Sequence, residues 1–193
     1  MTTSGSSGRK GLFVYDQVGW SAIMAQFLRY CAMMEFRLRL PRWRVAAIVG
    51  GAPTHMSRQI AANVSLGVHN VRAFPGTMPV DQLVQELNRF GPDQISTFPS
   101  LAVLLADEQL AGRLRVSLKF MSTVSELRTP EMTDRIVEAF GVSPFDLYAN
   151  TEGLWGLDCE RHEGYTCSRT RRWWRTWTKT AAPCHLANRA PGC

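Results

Sequence analysis

The sequence lacks the features that mark secreted and membrane proteins. It has only 5 cysteines in 193 residues, which is too few for a disulfide scaffold in a chain of this size. Its most apolar stretch, residues 18–36, is interrupted by Ser21, Gln26, Arg29 and Glu35, so it predicts a buried helix and not a membrane span. The first residues are polar and lack the hydrophobic region of a signal peptide. We therefore expect a cytoplasmic protein with reduced cysteines and no membrane partner.

Charge is balanced over most of the chain and unbalanced at one end. Six of the 22 Lys and Arg residues lie in residues 166–193, which contain no Asp or Glu. The other 16 basic residues balance the 16 acidic residues of positions 1–165. The net charge of +6 therefore belongs to the last segment. The remainder has the composition of one ordinary folded domain.

A loop of small residues opens the chain. Residues 2–11 read Thr-Thr-Ser-Gly-Ser-Ser-Gly-Arg-Lys-Gly. Glycines let backbone amides approach a ligand closely, and hydroxyl groups donate hydrogen bonds to phosphate oxygens. The segment thus has the chemistry of a polyphosphate-binding loop, although a flexible Ser/Gly linker has the same composition. It is not a Walker A box, because no Gly-Lys-Ser/Thr follows Gly5 at the required spacing.

Strand-like and helix-like segments alternate along the chain, which predicts an α/β fold with a parallel, helix-covered sheet. The predicted strands are 12–15, 45–49, 70–74, 94–97, 118–122 and 145–148, and the predicted helices are 18–36, 54–64, 80–90, 100–110 and 130–140. Pro130 and Gly141 are good start and stop signals for the last helix. Ligands of such sheets bind beyond the carboxyl ends of the strands, where the loops 123–128 and 149–153 are expected.

A second motif, Tyr148–Gly153, follows the last predicted strand. A Thr/Ser-Gly loop followed at a distance by Tyr-x-x-Thr-Glu-Gly resembles the adenylate-forming enzymes, the superfamily of acyl-CoA synthetases, and in particular its phenylacetate-CoA ligase-like members. The Pro-Ser turn at 99–100, the Ser125–Glu126 pair and the following Thr129–Met132 agree with this resemblance. It covers most of residues 1–165.

The resemblance implies a fold, a reaction and a set of site residues. The fold is the parallel-sheet portion of the large N-terminal domain of an acyl-CoA synthetase, with residues 1–165 as a fragment of the adenylation domain. The reaction uses ATP and Mg²⁺ to convert an aryl or acyl carboxylic acid into an acyl-adenylate, and then transfers the acyl group to CoA. By position, the resemblance implies a phosphate-binding loop formed by Thr3, Ser4, Gly5, Ser6, Ser7 and Gly8. It implies that Ser125, Glu126 and Tyr148 lie at the adenine side. It implies that Thr151 and Glu152 form the catalytic turn and that the Glu152 carboxylate ligates magnesium.

The sequence departs from the family pattern at several positions. Val124 stands where Gly often precedes the Ser-Glu pair, Ala149 stands where Gly is common, and Lys10 is not equivalent to the family lysine. The family also places a ribose-binding Asp, a hinge and a lysine-bearing C-terminal domain after the part that resembles this chain. We therefore expect a truncated ligase that is inactive alone.

Residues 166–193 allow two interpretations. Arg171–Trp177 has the composition of a basic, aromatic arm that binds nucleic acid or an acidic membrane surface, and a non-catalytic binding protein is therefore the alternative function. A shifted reading frame explains the composition better, because Trp has the single codon TGG. Restoring one base before the Thr166 codon turns all three Trp codons into Val codons within an acidic segment like that of the family. We predict a frameshifted, disordered tail and no nucleic-acid partner.

The remaining Cys and His residues carry weaker signals. Cys159 and His162 have the spacing of half a zinc site, which Cys167, Cys184 and His185 could complete only if the tail is genuine. A solvent-facing turn is the favoured interpretation. His55 and His69 lie near predicted element ends and are expected at the surface.

Sequencing the gene from the Tyr165 codon tests the frameshift. We expect one restored base to open a long second frame that encodes a Thr-Gly-Asp-like segment and a lysine-bearing domain. A confirmed Trp/Arg frame, together with a second frame that closes quickly, would instead establish the tail as genuine and favour the binding protein.

Overall fold

The structure is a computed structural model that describes residues 11–33, 40–50, 55–64, 69–151, 155–158 and 165–167. Its helices are α1 (Gln17–Met33), α2 (Met56–Val64), α3 (Val80–Phe90), α4 (Pro99–Leu110) and α5 (Pro130–Phe140). Its strands are β1 (Arg44–Val49), β2 (Asn70–Pro75), β3 (Gln94–Thr97), β4 (Phe120–Val124), β5 (Phe145–Ala149), β6 (Trp155–Asp158) and β7 (Tyr165–Cys167). Among the described residues, no helix is long and apolar enough to cross a membrane.

The strands form one sheet in the order β2-β1-β3-β4-β5-β6-β7. The pairings from β2 to β5 are all parallel. The two later pairings, β5 with β6 and β6 with β7, are antiparallel. The described chain therefore has the expected parallel, helix-connected sheet, with an antiparallel extension at one side.

Alternating side chains of the sheet pack into two apolar layers, one on each face of the sheet. The larger layer packs the sheet against α3, α4 and α5, and its large side chains with 0% exposure are Leu83, Leu87, Ile95, Leu105, Met121 and Ile136. On the opposite face, Ile23 of α1 and Met56 and Ile60 of α2 pack with Leu147 and Ala149 of β5. Helices on both faces are the usual cover of a parallel sheet.

Local signals set the ends of the helices on the larger layer. Thr129 precedes α5, and its side chain accepts a hydrogen bond from the amide of Met132, while Pro130 occupies the first turn. Gly141 ends the same helix in the left-handed conformation at φ 68°, which Gly adopts without a steric penalty. Gly91 ends α3 in the same way at φ 57°. The bounds predicted for α3, α5 and β3 agree with the structure.

The strand predicted at 12–15 is wrong. Leu12 forms only an isolated bridge, and residues 13–16 lie in no strand. Leu12 and Val14 are 72% and 87% exposed, whereas Phe13 and Tyr15 are half-buried. An apolar run becomes a strand only where a neighbouring strand pairs its backbone.

Two further expectations are corrected. The strand β6 was not predicted, because it is only four residues long and such a short run carries little periodicity. The strand β7 was not predicted, because two of its three residues, Thr166 and Cys167, were assigned to the disordered tail. His69 was expected at the surface but is buried, and this burial lowers the pKa of its imidazole.

Truncating the core side chain of Leu105 tests the packing of α4. Leu105 is 0% exposed, and Leu105→Ala should lower the free energy of unfolding by about 2–5 kcal/mol, because it removes buried apolar atoms and leaves a cavity. Urea unfolding followed by circular dichroism measures the change. The adjacent Leu104 is 48% exposed, and Leu104→Ala should change stability by only about 0.5 kcal/mol. Equal losses in the two variants would contradict this packing.

Candidate functional site

The candidate site lies at the edge of the sheet where the parallel strands end, here called the carboxyl edge. The register pairs Thr97 of β3 with Thr123 of β4, and Val124 of β4 with Leu147 of β5. The loops that follow these three strands therefore emerge side by side. Two of them contain described site residues predicted from the sequence, at 125–126 and at 151, as expected for ligand-binding loops of an α/β sheet.

Glu126 joins two of these loops. Its carboxylate oxygen Oε2 accepts a hydrogen bond from the backbone amide of Ser100 at 3.0 Å, in the first turn of α4. Phe98, the residue before α4, makes no side-chain cap, so the Glu126 carboxylate satisfies an amide that the helix leaves unpaired. A negative charge also interacts favourably with the helix N-terminus. The side chain predicted at the adenine side thus anchors its loop to α4.

Ser125 has an unusual backbone conformation. Its φ is 73°, in the left-handed region that side chains other than Gly, Asn and Asp rarely adopt. Such conformations persist where the surroundings enforce them and occur often at ligand-binding loops. The residue is exposed, and its main chain therefore borders solvent at the carboxyl edge.

Tyr148 presents an accessible ring close to the same edge. It is 53% exposed, although it lies in β5 between Leu147 and Ala149, which pack toward α1 and α2. Alternation along the strand places Tyr148 on the other face. Its partner in β6 is Gly156, which has no side chain to cover the ring. The ring is thus available for stacking.

Thr151 is connected to the segment that follows the predicted phosphate loop. The hydroxyl of Tyr15 donates a hydrogen bond to the backbone carbonyl of Thr151. The ring of Tyr15 lies 6.5 Å from that of Trp20 between centroids, at an interplanar angle of 57°, and packs in the apolar layer around Ile23. This contact holds the segment that contains Tyr15 next to Thr151, which follows the end of β5. Sequence reasoning did not identify Tyr15, whose only signal was its position shortly after the glycine-rich loop.

A buried ion pair joins the loop after β4 to the end of β6 and was also missed from the sequence. Arg128 Nη2 lies 3.4 Å from Asp158 Oδ2, and the two side chains are 5% and 0% exposed. The guanidinium also donates hydrogen bonds to Thr123 Oγ1 at 3.3 Å and to the backbone carbonyl of Pro144. The pair is formed by residues 30 positions apart, so no local pattern indicated it.

Several predicted site residues lie outside the part of the chain that the structure describes. These are Thr3, Ser4, Gly5, Ser6, Ser7, Gly8 and Glu152, together with Cys159 and His162. The described residues contain no group of three or more His, Cys, Asp or Glu side chains that could hold a metal ion. Of the predicted site residues, the structure therefore places Ser125, Glu126, Tyr148 and Thr151 near one edge.

Comparison with known proteins found similar folds among solved structures. No family model matches the sequence, and no curated protein matches it. Among solved structures, 2-hydroxyisobutyryl-CoA ligase in complex with 2-HIB-AMP in the postadenylation state matches with a TM-score of 0.64 and 24% identity over 86% of this chain and 36% of that one. The open conformation of that ligase, in complex with 2-HIB-AMP and CoA, matches with a TM-score of 0.63 and 23% identity over 86% of this chain and 37% of that one. ATP-bound MatB from Rhodopseudomonas palustris matches with a TM-score of 0.58 and 16% identity over 79% of this chain and 29% of that one.

The fold is therefore that of the N-terminal domain of acyl-CoA synthetases. The predicted resemblance to adenylate-forming CoA ligases is confirmed at the level of the fold. The chain spans little more than a third of the length of the 2-hydroxyisobutyryl-CoA ligase that it matches.

Removing the carboxylate of Glu126 tests its contact with α4. Glu126→Ala should lower the free energy of unfolding by about 1 kcal/mol, since the first turn of α4 loses its acceptor and its favourable charge. It should also speed hydrogen exchange of the Ser100 amide, which NMR measures directly. Glu126→Gln keeps an acceptor oxygen and should retain part of the protection. Asp134→Ala, at an exposed acidic residue of α5, is the control; unchanged exchange at Ser100 in Glu126→Ala would exclude the cap.

Proposed function

We propose that residues 1–165 form the nucleotide-binding part of a cytoplasmic, AMP-forming carboxylic acid:CoA ligase. The observation that carries this proposal is the convergence of Ser125, Tyr148 and Thr151 near one edge of a sheet with the fold of acyl-CoA synthetases. Ser125 and Thr151 belong to the two loops in which the sequence predicts adenine-side and catalytic residues, and Tyr148 lies near the end of β5, between these loops in the sequence.

The described residues support a specific placement of the nucleotide. The exposed ring of Tyr148 offers a stacking face for the adenine base, and stacking on an aromatic ring does not require a particular hydrogen-bond pattern. The loop at Ser125 is held by the Glu126–Ser100 hydrogen bond, so it can line the other side of the base without rearrangement. Pre-organisation of this kind lowers the entropy lost on binding.

In this placement the phosphates of ATP extend from the base toward the glycine-rich loop and Thr151. We propose that Thr3–Gly8 hold the β- and γ-phosphates and that the Thr151 hydroxyl contacts the α-phosphate. The Tyr15–Thr151 hydrogen bond supports this arrangement, because it keeps the segment after the glycine-rich loop next to the Thr151 turn. The carboxylate of Glu152 is the type of oxygen ligand that Mg²⁺ prefers, and the ion supplies charge neutralisation at the phosphates.

The reaction follows from this placement. A carboxylate oxygen of the acid attacks the α-phosphorus, the bond to the β-phosphate oxygen breaks, and pyrophosphate leaves. The CoA thiol then attacks the acyl carbon, AMP leaves, and the thiol proton is released to solvent. The protein contributes chiefly orientation and charge stabilisation. The solved structures with this fold include ATP-bound MatB and 2-hydroxyisobutyryl-CoA ligase in complex with 2-HIB-AMP and CoA, which supports the choice of cofactors.

The acid is proposed only as a class. The sequence resembles phenylacetate-CoA ligase-like proteins, and this favours an aryl or acyl acid. Because the chain covers only 36–37% of the 2-hydroxyisobutyryl-CoA ligase chain, we propose nucleotide binding for this chain and the complete reaction for a protein that contains the whole fold.

Magnesium-dependent ATP binding tests the proposal. The chain should bind ATP in isothermal titration calorimetry with Mg²⁺ present, and Glu152→Gln should weaken that binding by about tenfold or more, equivalent to ~1.4 kcal/mol. With EDTA, the variant and the unaltered chain should bind equally weakly, since the lost group acts through the metal. Glu138→Gln, in an exposed ion pair with Arg135 on α5, is the control. Absence of ATP binding by the unaltered chain would refute the proposed function.

A further inference from the structure

The Arg128–Asp158 pair connects the loop between β4 and α5 to the last residue of β6. Arg128 lies two residues after Glu126, in the loop between β4 and α5. Asp158 is the last residue of β6, which pairs with β5 in the antiparallel direction. An ion pair between them at 3.4 Å therefore links the adenine-side loop to the β5–β6 pair of strands.

The contacts of Arg128 span three neighbouring strands. Its guanidinium reaches Thr123 of β4, the carbonyl of Pro144 immediately before β5, and Asp158 of β6. These strands are where the sheet changes from parallel pairing, between β4 and β5, to antiparallel pairing, between β5 and β6. The planar guanidinium has several donors in a fixed arrangement, so one side chain can orient three segments at once.

Stability alone does not account for a buried pair of this kind. Removing two charges from water is unfavourable, and well-packed apolar residues in place of a buried ion pair are often neutral or stabilising. Loss of a single partner is destabilising, because it leaves one buried charge without compensation. The property that apolar residues cannot reproduce is the directional connection between Thr123, Pro144 and Asp158.

We propose that Arg128 and Asp158 are positioning residues that hold the 125–128 loop and the β5–β6 hairpin in the relative arrangement required by the nucleotide. This inference rests on the proposed function. Neither residue needs to touch ATP: Arg128 acts through the loop of Ser125 and Glu126, and Asp158 acts through β6 and its pairing with β5, the strand that contains Tyr148.

The experiment separates positioning from stability. Arg128→Met and Asp158→Leu are made singly and together, and the melting temperature and the affinity for Mg²⁺-ATP are measured for each. Each single variant should have a lowered melting temperature. The double variant should regain most of that loss because no unpaired charge remains buried, yet its affinity for Mg²⁺-ATP should stay about tenfold weaker than that of the unaltered chain, or ~1.4 kcal/mol.

The control replaces an ion pair on the surface. Arg113 contacts Glu108 at 2.6 Å, with the arginine side chain 63% exposed, at a position away from both site loops. The double variant Arg113→Gln/Glu108→Gln should bind Mg²⁺-ATP as the unaltered chain does. A double variant at Arg128 and Asp158 that regains its melting temperature and binds ATP normally would overturn the proposal.

A second variant covers the case in which the double variant stays unstable. Arg128→Lys keeps a positive charge near Asp158 but cannot reach Thr123 and the Pro144 carbonyl at the same time. Compared at a temperature where both proteins are folded, it should bind Mg²⁺-ATP about tenfold more weakly, and normal affinity would again overturn the proposal. If the unaltered chain binds no ATP, the proposed function itself fails, and this inference fails with it.

Discussion

Parallel pairing of the strands from β2 to β5 is the constraint on which the rest of this structure depends. Parallel strands cannot be joined by a tight turn, so each connection must return across a face of the sheet, and helices make that return. The helices α3, α4 and α5 bury one face and α1 and α2 the other. The same constraint brings the ends of these strands to one edge, where the loops after β3, β4 and β5 meet.

The loops at that edge are held by polar contacts between segments distant in the sequence. The Glu126 carboxylate binds the first turn of α4, the Tyr15 hydroxyl binds the Thr151 carbonyl, and Arg128 binds Asp158. The last of these is the most buried. Antiparallel pairing directs β6 back from the carboxyl edge, and this reversal places Asp158 within reach of Arg128. The change of strand direction and the buried ion pair are therefore parts of one arrangement.

Much of the fold was predictable because its signals are local. The apolar residues Leu83, Val84 and Leu87 recur at helical spacing in α3 and are buried, and Thr129, Pro130 and Gly141 mark the ends of α5 through their own backbone preferences. The prediction at residues 12–15 was wrong because an apolar run becomes a strand only where backbone pairing continues over several residues, and here the pairing is limited to a bridge at Leu12. The four residues of β6 offered no period to detect, and Thr166 and Cys167 of β7 were assigned to the disordered tail.

For the candidate site, too, the residues were predictable from the sequence but their contacts were not. Sequence resemblance identified Ser125, Glu126, Tyr148 and Thr151, since the order and type of these residues can be read along the chain. Resemblance did not indicate that Glu126 caps α4, because this contact joins positions 26 residues apart. It also did not indicate Tyr15 as a partner of Thr151, which lies 136 residues away.

The sequence by itself determined the alternation of helices and strands and the class of fold, and it predicted the two loops of the candidate site. These depend on periodicity, on the preferences of Pro and Gly, and on residue types within short windows. Only the tertiary structure decided which strands are antiparallel, which side chain meets the helix end, and that Arg128 and Asp158 share a buried contact. Pairings over long sequence separation depend on the packing of the whole sheet, and no short segment of the chain contains that information.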